Sequence, residues 1–364
     1  MLSLVAHFAV VPDPRAVNAR HGLAEILFIA IAATLAGAKT CVEMAEFGEA
    51  KHDFLREVLE LPHGVPSHDT FSQVFRNLDP EAFSEVFQRF SAAFGLAIRR
   101  GGVIAIDGKS MKRAYDKGQQ CTPKMMVSAW GSEARMTLAA RTVDRGGETN
   151  AAIAMLANLN IKGAIITGDA LHCNRGMAET IMARGGDYVF PIKGNQRTLM
   201  KAALAVIKAA KKAASAETRD KAHDRIERRR AVVVSVSVDD IDNEPAFPGL
   251  KAIGRIDAVR TLNGKTETTV RHFAMSRAFK PAELLRIVRE HWGIENRLHW
   301  VLDVVLDEDL NRSRKDHGPE NLAILRRLAL NIVRHDKAKG SLAGKLRKAA
   351  WNDAHLIALL SQMR

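Results

Sequence analysis

Between Gly101 and Lys193 the apolar residues stop recurring at helical spacing and gather into short continuous runs. The run VIAI (103–106) ends at Asp107, and MMVSAW and ARMTLAARTV flank the turn GSE. GAIITG leads to Asp169, and DYVFPIK stops at the loop GNQ. Among these runs, Asn150–Leu159 and Arg175–Arg184 keep a helical period. The order is three strands, a helix, a strand, a helix and a strand. A hairpin meander feeding β-α-β units predicts a mixed sheet in an α/β fold. It also places Asp107 and Asp169 at the carboxyl ends of strands, where open α/β sheets hold their ligands.

A third acid stands out downstream. The segment RIVREHWGIENRLHWVLDVVLDED, Arg286 to Asp309, reads as a helix. At about 100° per residue, Leu284, Val288, Trp292, Leu298 and Leu302 share one stripe, with Glu295 in its middle. His291 and His299 flank it by one turn each. A carboxylate on a buried face needs a cation, a metal or hydrogen bonds. One reading is a buried salt bridge with Arg297 or His299. The other groups Glu295 with Asp107 and Asp169. Clustered carboxylates repel unless cations lie between them, and an oxygen-only ligand set suits Mg²⁺ or Mn²⁺. Two such ions can activate a water or a 3′-hydroxyl for in-line attack at phosphorus. Asp107, Asp169 and Glu295 are therefore the candidate catalytic and metal-binding residues. Either aspartate alone would read as a turn residue or helix cap.

Charge points to the substrate. The chain of 364 residues has a formal net charge of +13, which favours a polyanion, nucleic acid before membrane. Aromatics at 5% argue against a platform that stacks single-stranded bases. Candidate DNA-binding cations are Lys109, Lys112 and Arg113 after the first aspartate, and Lys193 at the end of DYVFPIK. The cluster Arg228, Arg229, Arg230 joins them, as do His291 and Arg297 around the glutamate. Lys201, Lys208, Lys211 and Lys212 on an Ala-rich helix, Gln196–Ala216, fit phosphate contacts or a solvated surface equally. Other chemistries lack their signatures. GGVIAIDGKS misses P-loop spacing, and neither H-E-x-x-H nor G-x-S-x-G occurs. His291 and His299 around Glu295 lack the third nitrogen or sulfur ligand of a His-based metal site. Cys41, Cys121 and Cys173 form no CxxC pair, which reads as reduced thiols.

The first hundred residues keep a helical period. Leu23–Gly37 lies in an apolar run, interrupted by Glu25, that is too short to span a bilayer, so it is expected as a buried helix. With no signal-peptide pattern, a cytoplasmic protein is expected. Val42–Leu59 follows as one amphipathic helix. Ser67 then caps a short helix ending near Leu78, and Asp79-Pro80 opens the next. Helix, Gly/Pro turn and short helix fit a helix-turn-helix with Thr70, Gln73 and Arg76 outward, or a plain bundle. After the Ala-rich helix, AVVVSVSVDD, LKAIGRIDAVRT and TETTVRHFAMS alternate like a small antiparallel sheet. Pro319–His335 and Leu342–Met363 are helical and basic. Expected divisions are a helical, DNA-binding 1–100, a catalytic 101–337 with a β insertion at about 230–277, and a helical tail 338–364.

These segments also carry a resemblance. IDGK, TGDALHCN, GGDYVFPIKGNQ, REHWGIENRLHWVLDVVLDED and ENLAILRRLALNIV resemble the H-repeat-associated insertion-sequence transposases of the DDE type. VPDPR and GVPSHDTFSQVFRNLDP resemble the region preceding their catalytic core. The resemblance implies a ribonuclease-H-like fold, divalent-metal DNA cleavage and strand transfer, with the acids at Asp107, Asp169 and Glu295. The β block is similar to a strand insertion of related transposases. Those relatives carry a Tyr, an Arg and a Lys around the glutamate, where this chain has Val288, His291 and Leu302. Joining two ends implies double-stranded DNA as partner and a homodimer on it. A nuclease that cuts without joining, or a degenerate chain that only binds DNA, are the rival readings.

Overall fold

The structure is a computed structural model that describes residues 2–15, 18–93, 99–112, 124–144, 146–210, 213–222, 225–237 and 247–362. Arg113, Cys121, Lys211 and Lys212 lie outside these residues. The chain begins with helices α1 (Leu2–Ala9), α2 (Leu23–Leu35), α3 (Cys41–Ala50), α4 (His52–Arg56), α5 (His68–Asn77) and α6 (Pro80–Ala93). Strands β1 (Val103–Ser110), β2 (Met125–Gly131) and β3 (Met136–Val143) follow, then α7 (Glu148–Asn158), β4 (Ile165–Thr167), α8 (Arg175–Ala183) and β5 (Asp187–Ile192). Next come α9 (Arg197–Ala209) and strands β6 (Ser215–Ala222), β7 (Arg225–Ser235), β8 (Ala252–Leu262) and β9 (Lys265–Met275). The chain closes with α10 (Pro281–His291), a π-helical turn (Ile294–His299), α11 (Trp300–Val304), α12 (Gly318–His335), α13 (Leu342–Trp351) and α14 (Asp353–Leu360). No described helix is long and apolar enough to cross a membrane.

All the strands join one nine-stranded mixed sheet, ordered β3-β2-β1-β4-β5-β9-β8-β7-β6. β1, β4 and β5 run parallel, and the other neighbours are antiparallel. This is the α/β mixed sheet expected from the strand order, with one correction. The β insertion is not a separate small sheet. β9 pairs with β5 from Val189↔Met275 to Ile192↔His272, so the inserted ribbon extends the core sheet. A second correction concerns the Ala-rich helix, which stops at Ala209. Ser215–Ala222 is instead an edge strand zipped to β7, with Glu217 opposite Arg230, and with Arg228 and Arg229 of β7 ion-paired to Glu217 and Asp220. Charge complementarity across the ribbon outweighs the local helical composition there. The expected helix over Val42–Leu59 also breaks in two at Lys51.

One face of the sheet carries α7, α8 and α9, whose Ala152, Leu156, Met177, Ile181 and Leu199 bury Ile104, Ile106, Val127 and Ala129. The opposite face holds a larger apolar body. Ala105, Met126, Trp130 and Ala140 pack into one cluster with residues of α1 to α6, the π turn and α12 to α14. Helix α12 is the axis of this body and contacts α2, α5, α6 and β3. Polar side chains on it bind it to both neighbours. Asn321 donates to the carbonyls of Phe75 (2.9 Å) and Leu78 (2.8 Å), taking up carbonyls at the end of α5. Asn331 receives the Thr137 N–H (2.9 Å) and donates to the Thr137 carbonyl (2.7 Å), acting as a strand partner for β3. The N-terminal helices therefore share their core with the C-terminal ones. Ser67 caps α5 as its sequence indicates, accepting from the Thr70 amide. The helix lies against α3 and α12, with Arg76 ion-paired to Asp316 at 2.7 Å.

Candidate active site

Asp107 lies inside β1 rather than at its end, but it lies where β1 has outrun β4. The parallel register pairs Val103 with Ile165 and Ala105 with Thr167, and β4 stops there. Carried forward two residues, that register brings Asp169 alongside Asp107. The sheet alternation puts Asp107 on the face of Ala105, toward the helices around α12, while Ile104 and Ile106 face the other way. α10 and the π turn both pack against β1 on this side.

Each aspartate is held by its own neighbours. The Gly108 N–H donates to Asp107 Oδ1 at 2.9 Å. Burial lifts the Asp107 carboxyl to a pKa of about 6; the Gly108 N–H opposes this, and the Glu295 and Asp169 carboxylates add to it. Asp169 Oδ1 accepts from the Leu171 N–H (2.9 Å) and from His172 Nδ1 (2.8 Å). Burial opposes the Asp169 charge, but these donors outweigh it and hold its pKa below the ordinary value. The His172 ring is 2% exposed, and its Nε2 is buried without a partner. It lies flat on Gly168, where an added Cβ would stand 2.8 Å from His172 Cβ. His172 was not evident from the sequence; its signal is its place three residues after Asp169.

Glu295 departs from the expected buried stripe. It is exposed, and Trp292 is 37% exposed. The reason is the π turn, whose wider spacing shifts the helix face by roughly one residue, ~100°. Upstream, Leu284, Leu285 and Ile287 are buried; past the turn, burial falls on Ile294, Leu298, Val301 and Leu302. Glu295 is thereby released to the wall of a cleft of about 890 Å³ between the inserted ribbon and α10. Partial burial raises its carboxyl pKa, and the Arg271 guanidinium opposes that. Among the described residues, no three His, Cys, Asp or Glu side chains stand close enough together to hold a metal ion. Asp107 feels the charges of both Asp169 and Glu295, but the three acids do not form a closed ligand shell.

The flanking histidines face inward. His291 Nδ1 meets Thr167 Oγ1 at 3.0 Å, and burial pushes its pKa down to about 4. It is a neutral group against β4, its Nδ1 engaged with Thr167. His299 Nδ1 lies 3.6 Å from Asp107 Oδ2, too far for a hydrogen bond, and burial, Arg327 and Lys109 push its pKa to about 3.

The expected DNA-binding cations divide in two. Lys109 is buried, facing Asp303 (2.8 Å), Asp309 (2.6 Å) and Glu308 (3.5 Å), so it braces the site instead of meeting DNA. Asp309 also takes Lys112 at 2.6 Å. Glu308 is buried against Arg327 of α12 at 2.7 Å. Arg228 is bidentate to Glu217, at 2.6 and 2.7 Å. Arg229 pairs with Asp220 (3.0 Å) and Glu227 (2.5 Å). Lys193, Arg230 and Arg297 are exposed, and Arg297 lines the cleft. Burying Lys109 among three acids is legible only in space, because those acids lie about 200 positions downstream in the chain.

Comparison with known proteins gives the chain's family. A family model described as "Transposase DDE domain" matches residues 99–332, and one described as "DDE_Tnp_1-associated" matches residues 5–91. The chain belongs to the DDE transposase family, in the H-repeat-associated group. Its relatives in Escherichia coli (strain K12) include "Putative protein YbfL", 33% identical over 98% of this chain and 97% of that protein. The "H repeat-associated putative transposase YhhI" is 32% identical with the same coverage. A solved piggyBac transposase synaptic complex with hairpin DNA aligns over 99% of this chain and 77% of that chain. Its identity is 12% and its TM-score 0.42, too slight a likeness to carry argument.

Proposed function

We propose that the chain is the transposase of a bacterial insertion sequence, which cuts DNA at the element's ends and joins them to target DNA. Asp107, Asp169 and Glu295 are its reacting-site acids. What supports this reading above all is the meeting of strands: the β1–β4 register leads Asp169 to Asp107, and Glu295 looks onto the same region from the π turn. The order β3-β2-β1-β4-β5 with crossover helices also favours a ribonuclease-H-like core.

The donor set fits divalent metal. Asp107 is lifted by burial and, in smaller part, by its acidic neighbours, a repulsion that a cation relieves, and all three side chains offer oxygen. Asp107 and Asp169 would hold Mg²⁺ or Mn²⁺ together, with Glu295 completing the set. The bound ions would supply activation of the attacking oxygen and neutralise charge at phosphorus. The chain's own residues do the positioning. The Gly108 amide fixes one Asp107 oxygen, and His172 with the Leu171 amide fixes one Asp169 oxygen, leaving the second oxygens free. A water or 3′-hydroxyl attacks phosphorus, the opposite P–O bond breaks, and its electron pair leaves on the departing oxygen. Two copies of the chain, one per end, account for joining both ends.

The test is nicking of labelled duplexes bearing the element's ends, with Mg²⁺, by the wild type and by Glu295→Gln and Asp107→Asn. Both variants are expected to lose at least ~10³-fold in rate, the scale of removing a main electrostatic element of a site. Full nicking by either variant overturns the assignment. Hydrolysed ends that never join target DNA select the nuclease reading instead.

A further inference from the structure

We infer that the cleft between β8–β9 and the α10–π turn segment is the path of the DNA strand next to the cut, and that Arg271 and Arg297 grip its phosphates. The inference deepens the transposase reading and rests on it. It starts from the way the cleft's charges are used. On its walls Arg225, Arg229 and Arg289 are committed to Asp220 and Glu227. Arg260, Arg271 and Arg297 line the same cleft and make no ion pair among the described residues.

Two of these three are prepared for an anion. The Arg271 guanidinium stacks over the Trp292 ring, 5.3 Å from its centroid. Stacking holds the planar group by its face and leaves its N–H edges free for phosphate oxygens. It also stands close enough to Glu295 to oppose the rise in that carboxyl's pKa, which puts a held phosphate beside the candidate catalytic acid.

Arg297 follows Glu295 by two residues on the π turn. Its backbone carbonyl accepts from the Arg334 guanidinium, which stacks over Trp130 at 4.5 Å and keeps a buried, unpartnered Nη1. Burial, with Arg135 and Arg297 nearby, pushes Arg334 down to a pKa of about 9. Among the described residues none of these three arginines makes an ion pair with a carboxylate. Gathered like charges of this kind oppose folding unless a polyanion lies among them. The sequence favoured the Lys109 rim and the Arg228 cluster for this role, but those cations already hold carboxylates.

The experiment measures binding of a fluorescein-labelled duplex with a single-stranded 3′ extension, by anisotropy, in EDTA, across a series of NaCl concentrations. Each released counterion adds to the slope of log K against log salt. Arg271→Ala and Arg297→Ala are each expected to lower that slope by about 1. Arg271→Lys keeps the charge and is expected to keep the slope, which a merely structural role would not produce. The charge-neutral pair Arg228→Ala/Glu217→Ala serves as control and is expected to leave the slope unchanged. Wild-type slopes in both single alanine variants, an equal loss in the control pair, or no binding by the wild type overturns the inference. Nicking by Glu295→Gln is read separately. Unchanged arginine slopes with an inactive Glu295→Gln remove the strand path alone, whereas lowered slopes with an active Glu295→Gln remove the catalytic assignment alone.

Discussion

A single missing side chain sets the position of Asp169. Gly168 lets the His172 imidazole lie against the backbone, and the imidazole in turn donates to the carboxylate. A Cβ at 168 would stand 2.8 Å from His172 Cβ and 3.0 Å from its Cγ, so the histidine that holds Asp169 would have to shift. Gly168→Ala and His172→Ala are therefore expected to act alike. Each should weaken Mn²⁺ binding and nicking by about 10–100-fold, as loss of a partner behind a ligand does, while the fold persists. Calorimetric Mn²⁺ titration beside the nicking rate checks this. Full metal affinity in Gly168→Ala would mean that the ring does not position the acid. The three acids were nominated from two aspartates that follow apolar runs and one glutamate on a helical stripe. Their supports were not, because a histidine three residues on and a carboxylate cluster far downstream acquire meaning only after folding.

The element that most changes the reading of the chain is the π turn. The heptad-like stripe through Leu284 and Leu298 was correctly legible as helix, but a hydrophobic period does not reveal one extra residue in a turn. Along the turn Glu295 faces outward while Ile294, Leu298 and, beyond it, Leu302 remain in the core. Deleting Asn296 is expected to restore regular helix without disturbing either buried face. The prediction is a folded protein, with a thermal midpoint within a few degrees of wild type by circular dichroism, and no detectable nicking. Nicking at the wild-type rate would show that the turn does not place the glutamate. The inserted ribbon offers a similar lesson. The expected helix ran on to Ala216, into SAETRDKA, and pairing with RIERRR makes that segment a strand.

At the scale of the whole molecule, the succession of core strands along the chain and the helices before it were legible from periodicity. The sharing of one core between the first and last helices was not, because apolar faces do not declare their partners. Glu308 joins these parts. It is fully buried, ion-paired with Arg327 of α12 and near Lys109 of β1. Burial disfavours its charge, but Arg327 and Lys109 prevail and depress its pKa below the ordinary 4.5. A depressed carboxyl stabilises the fold fully above its unfolded pKa, and that contribution is lost as pH falls through the folded value. Urea midpoints should thus hold steady above about pH 5 as far as this group is concerned, and decline below about 4.5. Glu308→Gln leaves two buried cations short of an anion and is expected to cost about 3–5 kcal/mol at pH 7, with a flatter acid limb. An unchanged urea midpoint in the variant would remove Glu308 from the list of groups that hold the two halves together.

Among the described residues, the ribbon pairs with the rest of the sheet through the last residues of β9, from His272 to Met275, while β8 and β9 run together for eleven residues from Ala252 to Leu262 and Lys265 to Met275. Lys265 to Arg271 is exposed, and the Asn263-Gly264 bend closes the far end. Mechanically this is a cantilever propped by α10, where Arg289 pairs with Asp220. Arg271 lies next to the end that β5 holds, whereas Arg260 lies near the free bend. A strand seated on Arg271 would therefore rest on the held end of the ribbon, beside Glu295.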